Sequence, residues 1–106
     1  MDKKSVLELI TTFRNILEAK GVKPLKIILY GSYAKGDYTE TSDIDLVIIS
    51  DDFEGKDYWE RIDILTEAIY EVFAPLEVVA MTPDEWEKGT SFVREYARNG
   101  EILYAA

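Results

Sequence analysis

The sequence contains neither cysteine nor histidine. Their absence excludes disulfide bonds, thiol chemistry, zinc sites built from these two residues, Ser-His-Asp triads and imidazole bases. A metal ion would have to be held by oxygen ligands, a donor set that suits a hard cation such as Mg²⁺. A general base would have to be Asp, Glu, Lys or Tyr.

The sequence also lacks any apolar run near the roughly 20 residues that a helix needs to cross a bilayer. Its start, "MDKKSVLELI", is typical of an amphipathic helix and not of a secretory signal. We therefore expect a cytoplasmic protein without membrane contact. The length of 106 residues predicts one compact domain over residues 1–106.

Basic residues are scarce, since 12 Lys and Arg stand against 21 Asp and Glu and give a formal net charge of −9. Repulsion from phosphates argues against stable nucleic-acid binding. An acidic chain can still bind a nucleotide when its carboxylates carry Mg²⁺, because the ion reverses the local field. A partner protein with a basic surface is also compatible with this charge.

Apolar residues recur at helical spacing in some segments and at strand-like spacing in others. We predict helices at residues 4–19, 58–73 and 90–100, and strands at 25–30, 44–49 and 76–80, with 101–105 as a last short strand or a packed tail. Thr82 followed by Pro83 indicates a further helix start. The order predicts an α/β (mixed α+β) fold, in which helices flank a small mixed sheet of three to four strands.

Two longer helices are each apolar on one side, which we expect to face the sheet. The apolar positions of the first helix are Val6, Leu7, Ile10, Phe13, Ile16 and Leu17. Those of the helix at 58–73 are Ile62, Leu65, Ile69, Val72 and Phe73.

Two acids stand at the entrance of the second strand, in "SDIDLVII". Side chains alternate along a strand, so Asp43 and Asp45 share one face while Ile44 faces the core. Their carboxylates, roughly 7 Å apart by the rise of two residues, can converge on a cation that removes their repulsion. Taken alone, the pair can equally be two solvated acids. A Ca²⁺ loop of the EF-hand kind is disfavoured because its central glycine and third oxygen ligand are missing.

A Gly-Ser pair ends the first strand, in "LYGSYAKG". Glycine at a strand end lets the backbone approach a ligand closely. If residues 32–35 begin a helical turn, its free N–H groups and the hydroxyl of Ser32 suit phosphate oxygens. An ordinary strand-ending turn at Gly31 is the alternative, and the segment does not match a Walker A loop.

One acid interrupts the third strand, at Glu77 in "PLEVV". An edge strand that faces water would explain it, because an inward acid is costly without a partner. If the third strand lies beside the second, Glu77 instead becomes a third carboxylate next to Asp43 and Asp45. Three carboxylates are what two Mg²⁺ ions on a nucleoside triphosphate need, one to hold the triphosphate and one to activate an attacking hydroxyl.

The segment "GSYAKG", followed by "DID" ten residues after the Gly-Ser pair, resembles the signature of polymerase β-type nucleotidyltransferases. The short chain is similar to the minimal nucleotidyltransferase (MNT) proteins, from its leading helix to "REYARNGEILY". The resemblance implies a polymerase β-like fold. It also implies Mg²⁺-dependent transfer of a nucleoside monophosphate, AMP from ATP, to a hydroxyl, with two ions in the site.

The resemblance also implies roles for particular residues. Gly31 and Ser32 would hold the β- and γ-phosphates, and Asp43 and Asp45 would bind both metal ions. Glu77 would be the third metal ligand and the base for the incoming hydroxyl, a position often held by Asp in relatives. Many relatives carry Arg where this chain has a lysine at position 35. Lysine retains the charge without the bidentate fork, so Lys35 is a nucleotide-binding candidate on charge alone.

Family members of this size often stand beside a small helical HEPN protein, with which they form a toxin–antitoxin pair. Some of these antitoxins transfer AMP onto a tyrosine of the toxin, and 106 residues leave no room for a separate acceptor domain. The resemblance thus implies that the acceptor is a HEPN-type toxin. One alternative is a catalytically silent antitoxin that binds nucleotide and neutralises its partner by binding alone. Another is transfer to a small molecule in a pocket built by a homo-oligomer.

Overall fold

The computed structural model describes residues 2–89 and 91–106, in which five helices, four strands and one 3₁₀ turn follow one another along the chain. They are α1 (Lys3–Ala19), β1 (Lys26–Tyr30), α2 (Ser32–Lys35), β2 (Ile44–Ile49), the 3₁₀ turn Asp51–Phe53, α3 (Tyr58–Val72), β3 (Leu76–Met81), α4 (Pro83–Lys88), α5 (Phe92–Ala97) and β4 (Glu101–Ala105). The predicted start of the last helix at residue 90 lies outside the described residues. No helix within them is long and apolar enough to cross a membrane.

The four strands form one mixed sheet in the order β3-β2-β1-β4. Strand β1 pairs antiparallel with β2 and with β4, whereas β2 and β3 are parallel. Parallel neighbours need a crossover connection, and α3 supplies it between β2 and β3. The sheet confirms the predicted fold class, and the segment at 101–105 is its fourth strand.

Both faces of the sheet are covered by helices. Helices α1 and α3 bury the larger core against one face. The opposite face carries a smaller cluster in which Ile28, Val47, Ile49 and Met81 pack against Ala97 of α5. Because β2 contributes to both clusters, it is the central strand covered on both sides that its apolar run predicts.

The apolar side of α3 differs from the prediction at its C-terminal end. Leu65 and Ala68 are buried, but Phe73 is 92% exposed. Phe73 is the C-cap of α3 in a left-handed conformation with φ 52°, and its N–H donates to the carbonyl of Ile69. The chain leaves the helical path at this residue, so the helical spacing no longer decides where its side chain points.

Leu17→Ala should lower the free energy of unfolding by about 2–5 kcal/mol, because Leu17 is fully buried and its truncation leaves a cavity. Leu7 lies on the same helix and is 42% exposed, so Leu7→Ala is a matched control that should cost less than about 1 kcal/mol. Urea unfolding followed by circular dichroism measures both values. Equal losses would contradict the packing of α1 against the sheet.

Candidate active site

The predicted site residues come together where β1 ends and where β2 and β3 begin. Across the sheet, Tyr30 pairs with Asp45, and Asp45 pairs with Glu77. Residues that pair across neighbouring strands point to the same face of the sheet, so these three side chains form one row. The third strand does lie beside the second, which is the condition under which Glu77 can join the acids of β2.

The carboxyl groups of Asp45 and Glu77 are close enough to share a hydrogen bond. Partial burial, this bond, and the negative charges of Glu77 and Asp43 together raise the pKa of Asp45 to about 6. At neutral pH the row therefore carries negative charges that repel one another. A bound cation would relieve this repulsion, because it supplies the opposite charge at the point where the carboxylates meet.

The third acid of the predicted set, Asp43, is exposed and directly precedes β2. It acts on Asp45 through its charge. Within the described part of the chain, no group of three or more His, Cys, Asp or Glu side chains is arranged to hold a metal ion. The structure thus pairs Asp45 with Glu77 and leaves Asp43 at the rim. These oxygen donors and their surplus negative charge fit a hard divalent cation such as Mg²⁺.

Tyr30 is a member of this row that the sequence analysis did not identify. Its partial burial and the charges of Asp45 and Glu77 raise the pKa of its hydroxyl to about 12. The phenol therefore stays protonated at neutral pH beside the two acids. The signal was available in the short connection between the first two predicted strands, since an antiparallel pair places the last residue of one strand opposite the first residues of the next.

Gly31 occupies a conformation that only glycine adopts readily, with φ 75° and ψ −153°. A Cβ atom at this position would overlap Oδ2 of Asp45 and lie 3.2 Å from its Cγ. The turn therefore needs glycine for two reasons, its backbone conformation and its contact with Asp45. The sequence predicted that glycine here lets the backbone approach a ligand. In the structure, the backbone at Gly31 closely approaches the carboxylate of Asp45.

Residues 32–35 form the short helical turn that the phosphate-binding hypothesis requires. The N–H of Lys35 donates to the carbonyl of Gly31 at 3.1 Å, and Gly36 ends the turn with φ 84°. Buried Tyr33 stacks on Tyr38 with ring centroids 4.3 Å apart, which anchors the turn to the following segment. Ser32 is partly exposed, and Lys35 lies exposed one helical turn later.

Comparison with known proteins confirms the resemblance to nucleotidyltransferases. The family model described as a nucleotidyltransferase domain matches residues 10–99. A protein of Methanocaldococcus jannaschii, described as a putative protein adenylyltransferase, is 36% identical over 98 residues. The match covers 90% of this chain and 94% of that protein.

Solved structures share the fold over most of the chain. A putative nucleotidyltransferase from Sulfolobus solfataricus superposes with a TM-score of 0.62 at 18% identity, covering 99% of this chain and 90% of its own. A toxin–antitoxin structure with AMP-PNP gives a TM-score of 0.66 at 18% identity, and the match covers 94% of this chain and 73% of that one. A further putative nucleotidyltransferase gives a TM-score of 0.60 at 27% identity, and the match covers 90% of this chain and 97% of that one.

Gly31→Ala should destabilise the protein more than Gly36→Ala. Both glycines have positive φ, but a Cβ at Gly36 meets no atom within 4 Å. We expect a cost of about 1 kcal/mol at Gly36 from backbone strain alone, and of about 1–3 kcal/mol at Gly31 from its glycine-only conformation, with the Asp45 overlap added. In an Asp45→Ala background the cost of Gly31→Ala should fall. Urea unfolding of the set measures this, and an unchanged cost would argue against the contact.

Glu77→Gln should raise the free energy of unfolding at pH 8 without divalent cations, by up to about 1 kcal/mol, because like charges paired across neighbouring strands are destabilising. Exposed Glu8 on α1 provides the control Glu8→Gln, which removes the same charge from the same acidic chain away from the row. Adding Mg²⁺ should then raise the melting temperature of the wild type more than that of Glu77→Gln. A larger gain for Glu8→Gln than for Glu77→Gln would contradict repulsion within the row.

Proposed function

This chain belongs to the nucleotidyltransferase domain family, and from that premise we propose that it transfers AMP from ATP to a hydroxyl of a partner protein in a Mg²⁺-dependent reaction. The single observation that carries the proposal is the pairing of Asp45 with Glu77 directly beside the Gly31 turn. Nucleotidyl transfer needs little protein chemistry beyond positioning and charge neutralisation. Both can be supplied where this turn meets the acids.

In this proposal the acids and the turn at Gly31 have different roles. Asp43, Asp45 and Glu77 would hold Mg²⁺, which would neutralise the triphosphate and favour ionisation of the acceptor hydroxyl. The backbone at Gly31 and the hydroxyl of Ser32 position the β- and γ-phosphates, to which N–H and O–H groups of the turn can donate hydrogen bonds. Lys35, one helical turn further on, adds a positive charge on the phosphate side.

The bond changes balance without any further co-reactant. The acceptor oxygen forms a bond to the α-phosphorus of ATP, the bond between this phosphorus and the bridging oxygen of the β-phosphate breaks, and pyrophosphate leaves. The carboxylate of Glu77 takes the proton of the acceptor hydroxyl. Glu77 suits this task because it is exposed on β3, an edge strand of the sheet, where a second molecule can approach it.

The acceptor that we propose is a small helical HEPN-type toxin, with this chain as its antitoxin. Two relatives support a protein acceptor. The relative from Methanocaldococcus jannaschii is described as a putative protein adenylyltransferase. A structure of the same fold comes from a toxin–antitoxin complex with AMP-PNP. The net charge of −9 agrees with docking to a basic protein surface.

A second candidate function is a silent antitoxin that binds nucleotide and covers its partner without turnover. The exposed position of Asp43 favours it, since within residues 2–89 and 91–106 the three acids do not form a ready metal-binding group. The two functions differ in whether neutralisation of the toxin requires the acids. A silent antitoxin neutralises its toxin equally well without Asp43 and Asp45, whereas a transferase does not.

Asp43→Asn/Asp45→Asn should lower the rate of AMP transfer at least about 100-fold, because it removes the negative charge of two of the three proposed Mg²⁺ ligands while preserving side-chain shape. The measurement is transfer of label from α-labelled ATP with Mg²⁺ to a small helical HEPN-type protein, the acceptor proposed above. Asp63→Asn, at an exposed acid on α3, is the control and should leave the rate unchanged. Absence of label from the wild-type reaction, or equal labelling by the double variant, would refute the transferase.

A further inference from the structure

An apolar surface at the C-terminal end of α3 is not explained by the core. It surrounds a hollow of about 510 Å³. We call it the α3 patch and define it by its lining residues, which are Thr66, Ile69, Tyr70, Phe73, Ala74 and Pro75. Within it, Tyr70 is 74% exposed and Phe73 is 92% exposed.

The exposed aromatic ring of Phe73 contributes little to folding and stands where glycine would be favoured. Its φ of 52° is the left-handed conformation that closes many helices, usually at Gly or Asn. A bulky residue there is strained by roughly 1–2 kcal/mol relative to glycine. Because the ring is almost wholly in solvent, the chain does not recover this energy by packing. Because Phe73 lines the same hollow as exposed Tyr70, the two rings form a contiguous apolar surface of the kind that marks a contact with another molecule.

The α3 patch is joined directly to the acidic row. Pro75 precedes Glu77 by two residues, so their Cα atoms lie about 7 Å apart along the extended chain. The carbonyl of Pro75 accepts a hydrogen bond from the N–H of Ile44 at 2.8 Å, and Ile44 stands between Asp43 and Asp45. The patch is therefore fixed to both strands that carry the acids. A molecule seated on it lies at the same end of the sheet as the row.

The charges around the α3 patch are acidic. Glu67 and Glu71 flank it on α3 with side chains 71% and 54% exposed, and both contact Lys20 at 3.4 and 3.1 Å. Glu77, exposed on β3, follows Pro75 of the patch by two residues. A second copy of a chain with net charge −9 would bring a like-charged rim against this one. A partner whose apolar contact surface is bordered by Lys and Arg complements both the patch and its rim.

We propose that the α3 patch docks the acceptor protein and so brings its hydroxyl-bearing segment to Glu77, an inference that rests on the proposed transfer to a protein. The acceptor presents one or two large apolar side chains to the hollow between Tyr70 and Pro75, with basic residues around them. A hollow of this volume accepts such anchors, and buried anchors carry most of the affinity of a protein interface.

The test compares two double variants that remove the same two side-chain types. Tyr70→Ser/Phe73→Ser removes the aromatic part of the α3 patch. Phe92→Ser/Tyr96→Ser removes a Phe that is 85% exposed and a Tyr that is 71% exposed from α5. The helical HEPN-type protein proposed as the acceptor is titrated against each variant by calorimetry. Transfer is then measured at saturating Mg·ATP with varied acceptor, and thermal unfolding checks that each variant is folded.

We expect the α3 variant to raise both the Kd for the helical protein and the KM for it as acceptor at least about tenfold. Its kcat and its affinity for Mg·ATP should stay within about twofold of the wild type, since the variant leaves the acidic row intact. The α5 variant should match the wild type in all four quantities. Added salt should weaken acceptor binding to the wild type, as expected for a basic partner on an acidic rim.

Several results would overturn the docking surface. The first is that the α3 variant binds the acceptor as tightly as the wild type does. The second is that both variants lose affinity equally, and the third is that the wild type does not bind the helical protein at all. A wild-type dimer that only the α3 variant dissociates would assign the patch to a second copy instead. The two proposals fail separately. Binding through the patch without AMP transfer would refute the transferase and retain the docking surface. AMP transfer that the α3 variant leaves unchanged would refute the docking surface and retain the transferase.

Discussion

The structure depends on one constraint, which is that Asp45 and Glu77 are held side by side on parallel strands although their charges repel. Strand β2 is buried on both faces, and its apolar side chains fix its register against β3. A slip by one residue would turn every side chain of the strand to the opposite face. The apolar sheet thus keeps the two carboxylates together, and the stabilising free energy of core packing offsets the repulsion between them.

The position of this pair within the sheet also defines two directions of approach. On the β1 side, the row continues to Tyr30 and the turn at Gly31, which the glycine conformation brings against Asp45. On the other side, β3 is an edge strand, so Glu77 faces open space. In the proposed reaction the nucleotide and the acceptor arrive from these opposite sides. They meet over the carboxylates without competing for the same surface.

The sequence predicted the parts of this arrangement that depend on neighbouring residues. Alternation along 44–49 predicted that Asp45 points away from the core in which Ile44 is buried, and the Gly-Ser pair predicted the end of β1. The position of Glu77 could be stated only as a condition, because strand order is decided by packing between distant segments. Tyr30 was missed for the same reason, since its partners lie across the sheet.

Phe73 shows a different kind of error, because periodicity assumes that the helix continues. The residue belongs to the apolar pattern of α3 but adopts the left-handed conformation that ends the helix, and its ring points into solvent. No pattern of apolar spacing contains this information. The following Pro75 indicates where the helix must stop, yet it does not determine the direction of the last side chain.

The crossover through α3 makes the distance between the acids sensitive to chain length. Asp45 and Glu77 belong to strands that only α3 and its flanking segments connect. Deleting one residue inside α3 would rotate everything after it by about 100° around the helix axis and displace the start of β3. The segment between β2 and α3, which includes Gly55 at φ 76° with no atom near a Cβ, could absorb an insertion instead. Among related proteins, insertions and deletions should therefore be tolerated before α3 and selected against within it.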